Sequence, residues 1–197
     1  MAIDHLARAA LGLAYVGTIA AYPHFSPEMP LVVAFSLPLS ATAIWWLLAH
    51  LASHSAASGQ PSDRAGALTA LFLSAFHLTM LGAFIGGYFW LARVLGCIAG
   101  LFLVITGNEL PRLRPNLVWG IRTPQTLGSE IVWRRVHRIA GYVRVLMGCS
   151  VCVTSLAGMD GFAQLIPIAL CIEALIGCAA GLVFSRHSAP VTIHSTH

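Results

Sequence analysis

No Asp, Glu, Lys or Arg occurs between Glu28 and Asp63, and none between Arg64 and Arg93. A helix crosses the hydrocarbon core of a bilayer with about 20 apolar residues. In lipid, every backbone N–H and C=O must be satisfied within the protein, so a chain with such runs folds as spanning helices. Charged residues make up only 9% of the whole, against about 25% in an average soluble domain. A water-soluble globule is excluded, because its surface could not be covered.

Six segments have the length and composition to span: about 6–22, 31–51, 67–85, 88–106, 139–157 and 162–184. The predicted fold is therefore an all-α integral membrane protein. It is a six-helix transmembrane bundle forming one polytopic domain over 1–197, with a structured cytoplasmic loop and an interfacial helix between the fourth and fifth spans. The first segment has a second reading. Arg8, an Ala-rich apolar run and Ala20-Ala21 also fit a signal peptide with a small-residue cleavage site.

Charge sets the orientation. The net charge is +4, there is no lysine, and seven of the eleven basic residues lie between Arg112 and Arg144. The connections at 23–30, 86–87 and 159–161 carry no Arg, whereas the loop at Asp63-Arg64, the central loop and the tail at Arg186 carry nearly all of it. Positive loops stay inside, so both termini are expected in the cytoplasm. This bias accounts for the basic balance without nucleic acid, for which no motif is present. The expected partners of the basic loop are anionic lipid headgroups.

Smaller features refine the picture. Gly82-x-x-x-Gly86, Gly96-x-x-x-Gly100 and Gly177-x-x-x-Gly181 place small residues one turn apart, a pattern that lets helices approach closely within a bundle or in a homo- or hetero-oligomer. Trp45-Trp46 and Trp90 are placed as interfacial anchors. Five cysteines all lie in apolar runs, which points to packing rather than disulfides or metal, Cys149-x-x-Cys152 included. His50 and His54 have a zinc-compatible i,i+4 spacing but no third ligand nearby. No cofactor or metal site is expected.

The polar island from Gly107 to Gly141 has three parts. Gly107-Asn108-Glu109 is expected to end the fourth span, with Gly107 as cap. Pro111, Pro115 and Pro124 forbid regular helix through the middle. Thr126 or Ser129 then serves as N-cap for a helix over Glu130–Arg138, which runs on into the fifth span. Glu130 and Arg134 are i,i+4 in the favourable order. Trp133, His137, Gly141 and Arg144 share the opposite face.

This island resembles the SdpI family of bacterial membrane proteins, whose founding member confers immunity to a secreted peptide toxin. The resemblance rests on Gly107-Asn108, Pro111, Pro115-Asn116, Gly120-Ile121-Arg122-Thr123-Pro124, Thr126-Leu127, Glu130, Trp133, His137-Arg138 and Gly141. It covers about 35 residues of dense motif, and the flanking spans fit the family architecture. Gln125 departs from the family's usual Trp after Arg-Thr-Pro, and Gly128 from its usual Ser, Lys or Asp. The outer loop many members carry is reduced here to the stretch from Tyr22-Pro23-His24 to Pro30.

The resemblance implies a ligand- or partner-binding set of Asn108, Asn116, Gly120, Arg122, Thr123, Pro124, Glu130, Trp133, His137 and Arg138. Arg122 in its Arg-Thr-Pro turn either cradles an anion bidentately or anchors topology by charge alone. Trp133 and His137 either stack on a ligand or pack the helix. Within the spans, His77 and Glu173 fall near the midplane and Arg93 early in the fourth span. Intramembrane ionisable residues mark functional candidates. His77 and Glu173 are expected either to contact each other or to be buried separately in neutral form.

By resemblance, the function is that of a non-enzymatic protein of the bacterial inner membrane, protecting against or sensing a membrane-active peptide, with a peptide toxin or a cytoplasmic regulator as partner. A small transporter with a proton relay through His77 and Glu173, or an accessory subunit of a larger membrane complex, are the alternatives. No nucleophile–base pair or metal triad supports an enzyme.

Overall fold

The computed structural model describes residues 2–25, 34–53, 64–86, 90–116 and 119–158, and beyond these 168, 171–172, 174–175, 178–179 and 182–183. Among them, every regular element is helical. The elements are α1 (Ala2–Ala21), α2 (Ser36–Ser53), α3 (Ala65–Gly86), α4 (Leu91–Glu109), a short α5 (Pro124–Gly128) and a long α6 (Glu130–Leu156), with single 3-10 turns at Tyr22–His24 and Leu110–Arg112.

Among the described residues, three segments are long and apolar enough to cross a membrane: Ala65–Gly86, Leu91–Arg112 and Glu130–Leu156. These coincide with the third, fourth and fifth expected spans. The second corresponds to a shorter apolar helix, Ser36–Leu51. The first corresponds to α1, which is helical but not among the three. The sixth, at 162–184, and Gly177-x-x-x-Gly181 lie outside the continuously described residues.

The helices pack in two groups joined along α3 and α4. In the first, α1 and α2 lean on α3 through Ala7, Leu11, Ala41, Ala67 and Ala70, all buried, with Trp45 closing the cluster. Alanine on three facing helices lets them approach where lipid supplies no hydrophobic drive. Trp46 instead faces outward and stacks on His50, with ring centroids 5.3 Å apart.

The second group is the antiparallel pair α4–α6, the most extensive helix contact among the described residues. Two reciprocal glycine contacts set its spacing. A Cβ on Gly100 would meet the Gly148 carbonyl oxygen at 2.6 Å, and one on Gly148 would meet the Gly100 oxygen at 2.6 Å. One crossing further along, a Cβ on Gly141 would lie 2.7 Å from the Gly107 oxygen, and one on Gly107 3.0 Å from that of Gly141. The obstacles are backbone atoms, so a side chain at any of these positions forces the helices apart.

This corrects the expectation for Gly107. It does not cap α4, which continues to Glu109 with Gly107 buried inside it. Its lack of a side chain is used for close approach rather than for a left-handed turn. Of the other expected glycine pairs, Gly100 is the member of Gly96-x-x-x-Gly100 at the crossing. Gly86 is exposed, and a Cβ on Gly82 would make only an ordinary 3.5 Å contact with Leu91.

Candidate functional site

The pair α4–α6 presents one end to the arginine-rich loop, and the loop folds back onto α6. After α4, the backbone tightens into the 3-10 turn Leu110–Arg112 with Pro111 inside it, then extends at Leu113. Leu110 and Leu113 turn inward and are buried against Trp133 and Ala140, with Trp119 and Ile121 packed around them. Burying two leucines and an indole contributes several kcal/mol, at about 25 cal/mol per Å² of apolar surface.

Buried polar groups must find partners, and here they fix the path of the loop. The Trp133 indole Nε1–H donates to the Leu113 carbonyl at 2.8 Å. The His137 ring stacks on Trp133 with centroids 3.9 Å apart and planes 19° apart, and both side chains are fully buried. The Ile121 N–H donates to His137 Nε2 at 2.9 Å. Nε2 must therefore carry a lone pair, so the proton sits on Nδ1, which donates to the Trp133 carbonyl at 2.8 Å. Each ring nitrogen is used, and the imidazole is neutral.

Gly120 makes this bond possible. Its φ is +118°, and a Cβ there would collide with His137 Nε2 and lie 3.2 Å from the Trp133 ring. Only glycine combines that backbone angle with that clearance. Just ahead, Asn116 is a staple: its Oδ1 accepts from the Trp119 N–H at 2.8 Å, and its Nδ2 donates to the Arg114 carbonyl at 2.8 Å.

The exit from the loop is capped twice. Thr123 caps α5: its Oγ1 accepts from the Thr126 N–H at 3.2 Å, while Thr126 Oγ1 accepts from the Thr123 N–H at 2.9 Å and donates to the Ile121 carbonyl at 2.8 Å. Pro124 starts that helix, where its missing N–H costs nothing. Ser129 then caps α6, accepting from the Val132 N–H at 3.4 Å. Thr126 is thus not the cap of the long helix. It lies inside α5, fully buried as the partner of Thr123.

The expected site residues divide by direction. Asn116, Gly120, Thr123, Trp133 and His137 hold the loop from within. Asn108, Arg122, Pro124, Glu130 and Arg138 are exposed on its outer side. Glu130 and Arg134 form an exposed pair at 3.6 Å. Leu113 and Ile121 also belong to the site, through a carbonyl and an N–H that no side-chain pattern reveals.

The intramembrane residues are placed apart from this site. His77 on α3 is buried and contacts Thr18 of α1, Nε2 to Oγ1 at 2.7 Å. Thr18 spends its only hydroxyl hydrogen on the Ala14 carbonyl at 2.8 Å, so His77 is the donor in the arrangement that satisfies both. Its ring lines a largely apolar cavity of about 250 Å³ with Phe25, Leu37 and Phe84. Glu173, its expected partner, lies outside the described residues. The Arg93 guanidinium packs at the carboxy-terminal end of α6, where a Cβ on Gly158 would lie 2.5 Å from its Nη2. A cation there faces the negative end of the helix dipole.

Comparison with known proteins gives the arrangement relatives. Residues 112–185, which begin in the loop and include α5 and α6, match the SdpI/YfhL protein family. The chain is similar to the immunity protein SdpI of Bacillus subtilis (strain 168), with 36% identity over 83 residues. That likeness takes in 42% of this chain and 40% of the relative, so it spans well under two thirds of either. No solved structure matches the chain.

Proposed function

We propose, from the match of residues 112–185 to the SdpI/YfhL protein family and the likeness to an immunity protein, that the chain is a member of that family and a non-enzymatic immunity factor of the bacterial inner membrane. It protects against a membrane-active peptide. In this reading it is a six-span protein with both termini and the arginine-rich loop in the cytoplasm, as the positive-inside rule requires.

One observation carries the reading beyond the likeness: the family motif is folded as a fixed cap on α6. A loop serving only as a charged topology anchor needs no buried indole–imidazole stack, no glycine at φ +118° and no capping box. Beside those devices Arg122, Pro124, Glu130 and Arg138 are exposed. Such a surface suits a cytoplasmic regulator or the inner end of a membrane-inserted peptide.

The experiment is a challenge of a peptide-sensitive bacterial strain expressing the full chain or an empty vector. Survival at peptide concentrations that kill the control is expected. Equal killing, with the protein present in the membrane fraction, overturns the proposal.

A further inference from the structure

We propose that the cleft between the Pro111–Pro115 strap and the first turns of α6 binds the phosphate of an anionic phospholipid headgroup. The cleft has a volume of about 570 Å³, and Arg112, Arg114, Arg134 and Glu130 stand around it beside Pro111 and Pro115. Three arginines line one concave surface. Each carries a planar fork of N–H donors matched to phosphate oxygens, which a point charge does not reproduce.

The present partners of these arginines are weak. Arg112 meets Glu109 at 3.2 Å and Arg134 meets Glu130 at 3.6 Å, with both guanidinium side chains 61% exposed. Exposed pairs of this kind contribute little and re-form readily around a better acceptor. Arg114 makes no ion pair among the described residues, while its carbonyl is held by Asn116. The strap is thus fixed in place while its guanidiniums are available.

The level in the bilayer decides the source of the phosphate. The 27 residues of α6 make a rod of about 40 Å at 1.5 Å per residue. A hydrocarbon core of about 30 Å leaves about 10 Å projecting. The projecting part is the end carrying Glu130, Arg134, Arg135 and Arg138, since the rest of the helix holds only Arg144 as a charge. Headgroups occupy that layer, so Arg134 stands at phosphate depth. The cleft walls complement the ligand: guanidiniums for the phosphate, Glu130 as acceptor for a headgroup hydroxyl, prolines for the glycerol backbone. This site is independent of the immunity reading.

The test uses the purified full chain in detergent, titrated with dihexanoyl phosphatidylglycerol, dihexanoyl phosphatidylcholine or inorganic phosphate while the thermal midpoint is followed. Phosphatidylglycerol is expected to raise the midpoint saturably and the other two to act weakly. R114K retains the charge but loses the fork, and is expected to weaken phosphatidylglycerol binding about tenfold. Its midpoint without lipid, unchanged from wild type, shows that the variant is folded; R112K/R134K is the second variant and is expected to weaken binding likewise. Wild-type affinity in both variants reduces the cleft to a charged face and overturns the proposal. Equal stabilisation by phosphatidylcholine, or saturation by inorganic phosphate at the lipid's concentration, overturns the lipid assignment.

Discussion

The imidazole of His137 lies flat on the indole of Trp133, 3.9 Å between centroids, and each ring reaches past the other to a different point of the same loop. Trp133 holds Leu113 by its carbonyl and His137 holds Ile121 by its N–H. One turn of α6 thereby fixes both arms of a loop that three prolines keep from forming continuous helix.

Trp133→Phe keeps an aromatic ring in the pocket but removes the Nε1–H, leaving the buried Leu113 carbonyl without its donor. A loss of about 1–3 kcal/mol is expected, and Trp133→Ala should cost about 3–5 kcal/mol through the cavity it leaves. Denaturant titration of the purified chain in detergent measures both. A Phe variant as stable as wild type would remove the indole bond from the account.

His137→Phe preserves the stack while orphaning the Ile121 N–H. The arm from Gly120 to Thr123 should then open, and trypsin should cut after Arg122 faster than in wild type, with stability lower by about 1–3 kcal/mol. Gly120→Ala should do the same, because its φ of +118° and its closeness to His137 both exclude a Cβ. Cleavage rates indistinguishable from wild type in both variants would contradict the clasp.

Gly148→Val places side-chain atoms where the nearest obstacle is the Gly100 carbonyl, 2.6 Å from the new Cβ. Backbone cannot rotate away, so a cost of about 1–3 kcal/mol or more is expected. Gly82→Ala meets only Leu91 at 3.5 Å and should be neutral or stabilising by about 0.5–1 kcal/mol. Thermal midpoints of the two variants in the same detergent give the comparison, and equal effects would deny that the α4–α6 crossing is set by glycine.

Thr18→Val and His77→Leu each break the hydrogen bond between α1 and α3. Their combined loss should fall short of the sum by about 0.6 kcal/mol, the average for such pairs in membranes. Strict additivity would show that the 2.7 Å contact carries no coupling.

Much of this architecture is legible in the sequence because it rests on patterns a membrane enforces. The charge-free run after Arg64 gives α3, the apolar stretches of α4 and α6 give the other two long helices, and the i,i+4 spacing of Trp133 and His137 puts them on one face. The misreadings have a common cause. By residue type Gly107 reads as a helix cap and Thr126, like Ser129, as an N-cap of α6; Ser129 takes that place, while tertiary contacts use Gly107 and Thr126 otherwise. Gly107 is consumed by the α4–α6 crossing and Thr126 by the capping box with Thr123. The clasp itself ends on Leu113 and Ile121 through backbone atoms, which every residue carries, so no composition signals it.

The central claim is that the arginine-rich loop is a fixed element held by α6, and the amide of Ile121 reports on it most directly. Its hydrogen exchange, followed by NMR in the full chain in detergent micelles, should be protected in wild type and should quicken about tenfold or more in His137→Phe, the factor for a bond of about 1.4 kcal/mol. An Ile121 amide that exchanges in wild type as fast as in an unstructured peptide would contradict the account.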